Sequence, residues 1–221
     1  SPVVTKNRQP SKPVMSTTLE VTVDGVGISQ EPESAEVPQN APAAAPLPDG
    51  GVALVPAEAR AMPPVGAPLR QHLDWERRFG HMRVHTALHL LSVVIPLPVT
   101  GGQIFADRGR LDFAMPEVPP EADLWEEAIN RLIDRDLPIT QDWITDDDLA
   151  ANPGMVKTLS VRPPVGQGRV RLIRIGQGEG QIDLQPCGGT HVARTAEIGR
   201  VEIGKIEKKS RQNRRVSLTL L

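Results

Sequence analysis

The most regular pattern of hydrophobic and polar positions runs through the segment WERRFGHMRVHTALHLLSVV, residues 75–94. Its apolar residues return every three to four positions, which is the spacing of one face of an α-helix. Asp74 precedes the segment as a typical N-cap residue, and Pro96 and Pro98 follow it. The pattern therefore predicts a helix over residues 75–94.

The rest of the patterned chain mixes helix and strand spacing without a regular βαβ order. Helices are predicted for residues 119–136, whose apolar positions share one side, and for residues 146–151. Strands are predicted for residues 110–115, 137–145 and 169–175, and a C-terminal hairpin for residues 200–207 and 214–220. The Gly101-Gly102 pair predicts a turn. This mixture favours an α+β fold in which helices pack on an antiparallel sheet.

The N-terminal part is patterned less clearly. Short runs at residues 19–23 and 51–55 predict two weak strands, and residues 1–15 are interpreted as a tail. Residues 31–49 are rich in Pro, Ala and Glu and poor in large apolar residues, which predicts a linker or long loop. We therefore expect an irregular Pro/Ala-rich segment over residues 1–63, which could be the remnant of a small β-barrel subdomain, and a folded domain over residues 64–221.

Composition excludes several classes of protein. Among 221 residues, 39% are hydrophobic but only 3% aromatic, so the core is expected to be aliphatic. One cysteine cannot form an internal disulfide, and no stretch approaches the ~20 apolar residues of a membrane span. Residues 1–15 lack the apolar region of a secretory signal. These features predict a cytoplasmic protein without membrane segments.

Charge is distributed unevenly although the net charge is only −2. Residues 157–221 carry 13 Lys and Arg against 5 Asp and Glu, whereas residues 1–156 carry 12 against 22. A basic end predicts a surface that faces a polyanion. Six cations at the predicted hairpin turn are candidate RNA-binding residues that could grip phosphates: Lys205, Lys208, Lys209, Arg211, Arg214 and Arg215. No aromatic residue stands among them, so this cluster would read the backbone or the helix shape.

Four side chains form a candidate metal site. His85 and His89 lie four residues apart in the predicted helix and so share one face. Cys187 and His191 repeat this spacing in PCGGTH, where glycines permit a turn around an ion. Three nitrogens and one sulfur suit tetrahedral Zn²⁺. A catalytic pair of Cys187 and a histidine is the alternative, but it leaves the HxxxH spacing without a role.

The motifs HTALHLL, VTGGQI, GRLDF, CGGTHV and TAEIG resemble the editing domain shared by alanyl- and threonyl-tRNA synthetases and by free-standing AlaX-type trans-editing proteins. The resemblance covers about residues 64–221 and includes no ATP-binding synthetase core, so the free-standing proteins are the closer match. It implies an α+β editing-type domain around Zn²⁺ held by the HxxxH and CxxxH ligands. It also implies hydrolysis of the ester that joins Ser or Gly to alanine tRNA.

One stretch of the family pattern has no counterpart. The family carries a Phe-Tyr-Pro and a Gly-Gly-Gly-Gln stretch that wall the amino-acid pocket, whereas this chain has no Tyr and shows its Pro/Ala-rich segment there. The resemblance therefore predicts an enzyme whose pocket is rebuilt, or whose hydrolysis is impaired.

The resulting prediction is a zinc-dependent aminoacyl-tRNA deacylase that serves translation fidelity. An aminoacyl ester is already activated, so the site needs mainly to hold the terminal adenosine, place one water and stabilise an oxyanion. Thr86 and Thr190, beside the ligands, could offer hydroxyls, and Gln103 could wall the pocket; packing and turn hydrogen bonds are the simpler roles for the threonines. Two alternatives stay open: a zinc-stabilised RNA-binding module without hydrolytic activity, and a metalloesterase for small esters, which would give the basic cluster no role.

Overall fold

The computed structural model describes residues 74–157 and 168–221, and before them the backbone of four short strands. These are β1 (Thr18–Glu20), β2 (Ala43–Pro46), β3 (Val52–Val55) and β4 (Arg70–His72). β1 pairs with β4 in parallel, and β2 pairs with β3 antiparallel. The predicted strands at residues 19–23 and 51–55 overlap β1 and β3, and β2 lies within the predicted linker. The remainder of residues 1–63 lies outside the described residues, as does the tail.

The chain divides into two compact units: the first ends at Glu76, and most of the second is Arg77–Leu221. The elements from residue 75 onward are α1 (Trp75–Val94), β5 (Val99–Ile104), β6 (Arg108–Ala114), α2 (Trp125–Asp134), β7 (Ile139–Ile144), α3 (Asp146–Ala151), β8 (Val170–Ile175), β9 (Asp183–Pro186), β10 (Val201–Ile203), β11 (Glu207–Lys208) and β12 (Asn213–Leu220). Short 3-10 helices cover Pro120–Leu124, Pro153–Met155, Gly178–Gly180 and Thr195–Ile198. The predicted domain limit between residues 63 and 64 stays a prediction.

Two antiparallel sheets form the framework of the second unit. The larger sheet has the order β10-β12-β6-β5, with β11 also paired to β12, and the smaller one has the order β7-β8-β9. The pairings of both sheets are antiparallel. The predicted α+β class with antiparallel sheet is therefore confirmed. In the part of the chain that the structure describes, no helix is long and apolar enough to cross a membrane.

Helix α1 occupies the residues predicted for it and packs directly on the larger sheet. A Cβ at Gly109 of β6 would lie 2.6 Å from Val84 Cγ1 and 3.0 Å from Leu88 Cδ1, so only glycine permits this approach. The buried core of this unit is mainly aliphatic and contains two aromatic side chains, those of Phe113 and Trp125. This close contact fixes α1 against β6, and with it the helix positions that carry His85 and His89.

Two local predictions were wrong in detail. Gly101 and Gly102 do not form a turn but lie within β5, where they pair with Asp112 and Leu111 after a register shift. A Cβ at Gly102 would approach Leu111 Cδ2 to 3.0 Å, so the absence of a side chain serves strand packing here. The first strand of the predicted C-terminal hairpin is divided into β10 and β11, and both pair with β12.

Candidate metal centre

The four predicted metal ligands meet at one place, although two come from α1 and two from the turn after β9. Their ligand atoms all lie within 4.8 Å of one another. Cys187 Sγ is 3.4 Å from Nε2 of His85 and 3.4 Å from Nε2 of His191. In a tetrahedral zinc site the ligand atoms are about 3.3–3.6 Å apart, given Zn–N and Zn–S bonds of ~2.0–2.3 Å. The cluster could therefore hold a metal ion.

Each histidine of the cluster uses its Nδ1 nitrogen to contact a neighbour outside the cluster. The contacts run from His85 to the Thr190 carbonyl (3.2 Å), from His89 to Asp183 Oδ2 (3.0 Å) and from His191 to Thr86 Oγ1 (3.2 Å). A carbonyl and a carboxylate can only accept, so the contacts of His85 and His89 place a proton on Nδ1. A neutral ring with its proton there leaves Nε2 free to bind a metal, which is the usual arrangement in metalloproteins.

Thr86, predicted as catalytic, is fully buried in α1. Its hydroxyl donates to the Met82 carbonyl at 2.8 Å. The same oxygen lies 3.2 Å from His191 Nδ1 and accepts from the Val192 amide at 3.3 Å. The hydroxyl thus connects α1 to the CGGTH turn and orients His191.

The other two residues predicted as catalytic lie in different surroundings. Thr190 is half-buried in the turn and contacts His85 through its backbone carbonyl. Gln103 lies on β5, where its amide oxygen accepts from Arg110 Nε at 3.2 Å. No hydrogen bond among the described residues links Gln103 to the cluster.

Asp183 is a buried residue of the site that the sequence reasoning missed. Its side chain is 0% exposed and accepts from Lys157 Nζ at 2.6 Å and from the Gln185 amide at 2.8 Å, besides His89. Asp183 and Gln185 occupy alternate positions of β9 and so share a face, and Cys187 follows at the same spacing just after the strand. The sequence signal that could have identified Asp183 and Gln185 is their position four and two residues before Cys187.

Arg171 of β8, also missed, holds the turn that carries Cys187. Its Nη1 donates to the carbonyls of Gly189 (2.6 Å) and Cys187 (3.3 Å), and its Nε donates to Gln141 (2.9 Å). The Cys187 amide donates in return to the Arg171 carbonyl at 3.0 Å. Strand β8 therefore fixes the turn through both its backbone and a cationic side chain.

The electrostatics of the cluster, without metal, favour a deprotonated sulfur. Burial would raise the pKa of the Cys187 thiol, but hydrogen bonds from the three histidines lower this pKa to about 2. For His89 the effects are reversed: burial alone would lower the pKa of the imidazole, but Asp183 and the thiolate raise this pKa to about 9. Burial and the neighbouring imidazoles lower the pKa of His191 to about 3. At neutral pH the cluster therefore presents a thiolate, which is the form that binds a metal.

We expect the alkylation of Cys187 in chelator-treated protein to show this lowered pKa. The rate with iodoacetamide should stay nearly constant from pH 8 to pH 5, because the thiolate persists down to its pKa of about 2. In the same chain unfolded in urea, a thiol pKa of ~8.5 should make the rate fall about tenfold per pH unit. A parallel fall in the folded protein would contradict the predicted thiolate.

Substituting alanine for Gly189 should displace the His85 ring. A Cβ at Gly189 would lie 2.2 Å from His85 Cε1 and 2.6 Å from Nδ1, whereas a Cβ at Gly188 would meet nothing within 4 Å. We expect Gly189→Ala to cost about 1–3 kcal/mol of unfolding free energy, as overpacking does, and to weaken metal binding. Gly188→Ala is the matched control. Equal metal affinity of the two variants, measured by competition with a chelating dye, would contradict the close approach.

The structure places the predicted RNA-binding cluster around β11 and the start of β12. Lys205, Lys208 and Arg211 are exposed and have no ion-pair partner among the described residues. Lys209 pairs with Glu207 at 3.2 Å. Two of the six cations are engaged internally: Arg215 binds both carboxylate oxygens of Asp112, at 2.8 and 3.0 Å, and Arg214 donates to the carbonyls of Pro116, Ser210 and Asn213. The cluster thus exposes fewer uncommitted charges than its sequence suggests.

Comparison with known proteins gives one family match and several relatives. Residues 170–217 match the family described as threonyl and alanyl tRNA synthetase second additional domain. The chain is 32% identical over 161 residues to the alanyl-tRNA editing protein AlaX-M of Methanosarcina acetivorans, covering 71% of this chain and 64% of that protein. It is 34% identical over 167 residues to the alanyl-tRNA editing protein AlaX-L of Pyrococcus horikoshii, covering 72% and 38%.

A synthetase is also among the relatives. The chain is 32% identical over 155 residues to the alanine-tRNA ligase of Caldivirga maquilingensis, covering 66% of this chain and 17% of the ligase. In each of these three comparisons the chain spans less than two thirds of the relative's length. The resemblance inferred from the HxxxH and CGGTH motifs is confirmed: this chain is a relative of the AlaX-type alanyl-tRNA editing proteins and of the editing part of alanine-tRNA ligases.

Proposed function

We propose that this chain hydrolyses the ester of mischarged tRNA, as a zinc-dependent deacylase of Ser-tRNA(Ala) or Gly-tRNA(Ala). The observation that carries the proposal is the convergence of three Nε2 nitrogens and one thiolate sulfur, each histidine held by a contact at Nδ1. The relatives named as alanyl-tRNA editing proteins support the same reaction. Such a substrate would place the protein in the cytoplasm with the translation machinery.

Zinc is the proposed ion because His85, His89, Cys187 and His191 offer three nitrogens and one sulfur. When bound, the ion would supply a positive charge that polarises the ester carbonyl or orients the amino group of the substrate. The residues of the chain do the rest of the work. Asp183 holds the ring of His89, Thr86 holds that of His191, and Arg171 holds the turn that carries Cys187 and His191.

Roles for the three predicted catalytic residues are part of the proposal. The Thr190 hydroxyl and the Gln103 amide would offer polar contacts to the substrate. Thr86 has its donor and acceptor already engaged with Met82, Val192 and His191. These contacts favour a role for Thr86 in positioning His191 instead of contacting the substrate.

The tRNA is proposed to bind through the basic cluster at β11 and β12. Lys205, Lys208 and Arg211 are the cations best placed to meet phosphates, because they are exposed and unpaired among the described residues. Lys209, Arg214 and Arg215 complete the cluster. Neutralising three phosphates would give a log–log salt dependence of binding with a slope of about −2 to −3.

A second candidate function is a metal-stabilised RNA-binding module without hydrolysis. Four protein ligands would close a tetrahedral sphere, and the buried Thr86 hydroxyl is already engaged. The experiment is deacylation of Ser-tRNA(Ala) and Gly-tRNA(Ala), with the metal content of the same sample measured. Multiple turnovers with about one zinc per chain would support the deacylase. Bound zinc and salt-dependent tRNA binding without ester cleavage would favour the module.

A further inference from the structure

One face of the smaller sheet carries an aromatic, a cationic and a metal-binding side chain in a row. Trp143 of β7 pairs with Arg171 of β8. Leu172 pairs with Pro186, and the Cys187 amide donates to the Arg171 carbonyl, so the pairing continues to Cys187. Side chains of directly opposed residues point to the same face of a sheet. Trp143 of β7, Arg171 of β8 and Cys187, the residue after β9, therefore form a row across the sheet, which we call the β7–β9 row.

The face on which the β7–β9 row lies is buried at one end and open at the other. Ile175 and Asp183 are almost inaccessible, and Cys187 is half-buried. Trp143 is 51% exposed, one of four large hydrophobic residues that are exposed in the described part of the chain. Two strand spacings of ~4.8 Å separate Trp143 from Cys187, so the backbones are about 10 Å apart. An indole ring is thus presented to solvent at a short distance from the metal cluster.

The positively charged guanidinium of Arg171 belongs to the residue between Trp143 and Cys187 in this row. Arg171 uses Nε and Nη1 to bind Gln141 and the carbonyls of Cys187 and Gly189, while Nη2 has no hydrogen bond among the described residues. A guanidinium so fixed can still donate from its remaining nitrogen to an oxyanion. The β7–β9 row thus combines a π-face, a fixed cation and the cluster in that order.

We propose that Trp143 stacks on the base of the 3′-terminal nucleotide of an RNA whose ester end reaches the Cys187 cluster, with Arg171 facing its phosphate. This inference rests on the proposed function and names how its substrate is held. A terminal nucleoside carries its base on one side of the ribose and the ester on the other. The base could therefore lie on Trp143 while the ester reaches the Cys187 cluster on the same face of the sheet. Base stacking on an exposed aromatic ring tolerates any base, because every base has a π-face.

The test uses two uncharged RNA minihelices with the alanine acceptor stem, one ending in CCA and one lacking the terminal adenosine. The metal-loaded chain should bind the CCA form about tenfold or more tightly, as expected for one stacked base. Trp143→Ala should bind both RNAs equally. Trp143→Phe should keep most of the difference, whereas Trp143→Leu, which is apolar but has no ring, should lose it. Leu124→Ala removes another exposed apolar side chain, 59% exposed, and should change nothing.

The outcomes separate this inference from the deacylase proposal. Equal binding of the two RNAs by the unmodified chain overturns the stacking role, whether or not the ester is hydrolysed. Preference for the CCA form without hydrolysis of any mischarged tRNA supports stacking and contradicts the deacylase. If hydrolysis occurs, Trp143→Ala should raise KM about tenfold and leave kcat nearly unchanged. A dimer that Trp143→Ala converts to a monomer in sedimentation would show that a second copy covers the ring, and would overturn the proposal.

Discussion

Replacement of His85 by alanine is expected to weaken metal binding strongly and to abolish the proposed ester hydrolysis. His85 Nε2 lies 3.4 Å from Cys187 Sγ, and its ring is fixed by the Thr190 carbonyl. Four ligands share a binding free energy on the order of 10–16 kcal/mol in small zinc sites, so removing one should weaken the metal by about 100-fold or more. Metal content after dialysis and the single-turnover rate with Ser-tRNA(Ala) measure the two effects.

The matched control for this variant is His81→Ala, one helical turn earlier on α1. The His81 ring contacts the Arg77 carbonyl at 2.8 Å and is outside the cluster. This variant should retain one metal per chain and the full rate. A His85→Ala protein that keeps its metal at wild-type affinity would contradict the four-ligand site. Loss of hydrolysis with the metal retained would instead assign His85 a direct part in the reaction.

The second large effect is expected for Asp183→Asn, a change of charge with almost no change of size. The carboxylate is inaccessible to solvent and serves His89, Lys157 and Gln185 at once. Removing one partner of a buried ion pair costs about 3–5 kcal/mol, and the His89–Asp183 pair is buried on both sides, at 8% and 0% exposure. Mutation of a residue that orients a metal-binding histidine also typically lowers metal affinity about 10–100-fold. Urea unfolding and metal titration measure these two losses.

The lowered pKa of Asp183 also predicts how the stability of the two proteins changes with pH. Burial would raise the pKa of this carboxyl, but His89 and Lys157 hold the pKa below its usual value. Its contribution to stability is therefore present at neutral pH and is lost as the pH falls through the lowered pKa. Asp183→Asn should show a weaker loss of stability on acidification than the unmodified chain. An identical acid profile for both proteins would contradict this.

Asp142→Asn is the control for charge removal on the same sheet. Asp142 pairs with Arg174, and its side chain is 48% exposed. Exposed ion pairs contribute about 0–1 kcal/mol, so this variant should unfold close to the wild-type midpoint and bind metal normally. If Asp142→Asn and Asp183→Asn lost equal stability, burial would not be the cause of the effect.

Local rules were enough to predict the four residues of the cluster and the helix that carries two of them. The four-residue spacing of His85 and His89 follows from helix geometry alone, and α1 spans the residues its capping and proline signals predict. The α+β class followed from the mixture of periodicities. These features depend on residues close together in the chain, which a sequence displays directly.

The residues that surround the ligands could not be found in the same way. His89 meets Asp183 across 94 residues of sequence, and Arg171 reaches carbonyl groups whose position no side-chain pattern reveals. Counting charges likewise overestimated the basic cluster, because Asp112 binds Arg215 from 103 residues away. The Gly101-Gly102 pair was misread because pairing with β6 outweighs the local preference for a turn.

The distance in sequence between the two halves of the site has a consequence for the unfolded chain. His85 and Cys187 are 102 positions apart, so an ion that bridges them closes a very long loop. A permanent crosslink over a loop of this length removes conformational entropy from the unfolded state equivalent to ~4–5 kcal/mol. A bound metal would act as a reversible crosslink of the same kind, and the free metal concentration would set how strongly the two halves of the chain are tied together.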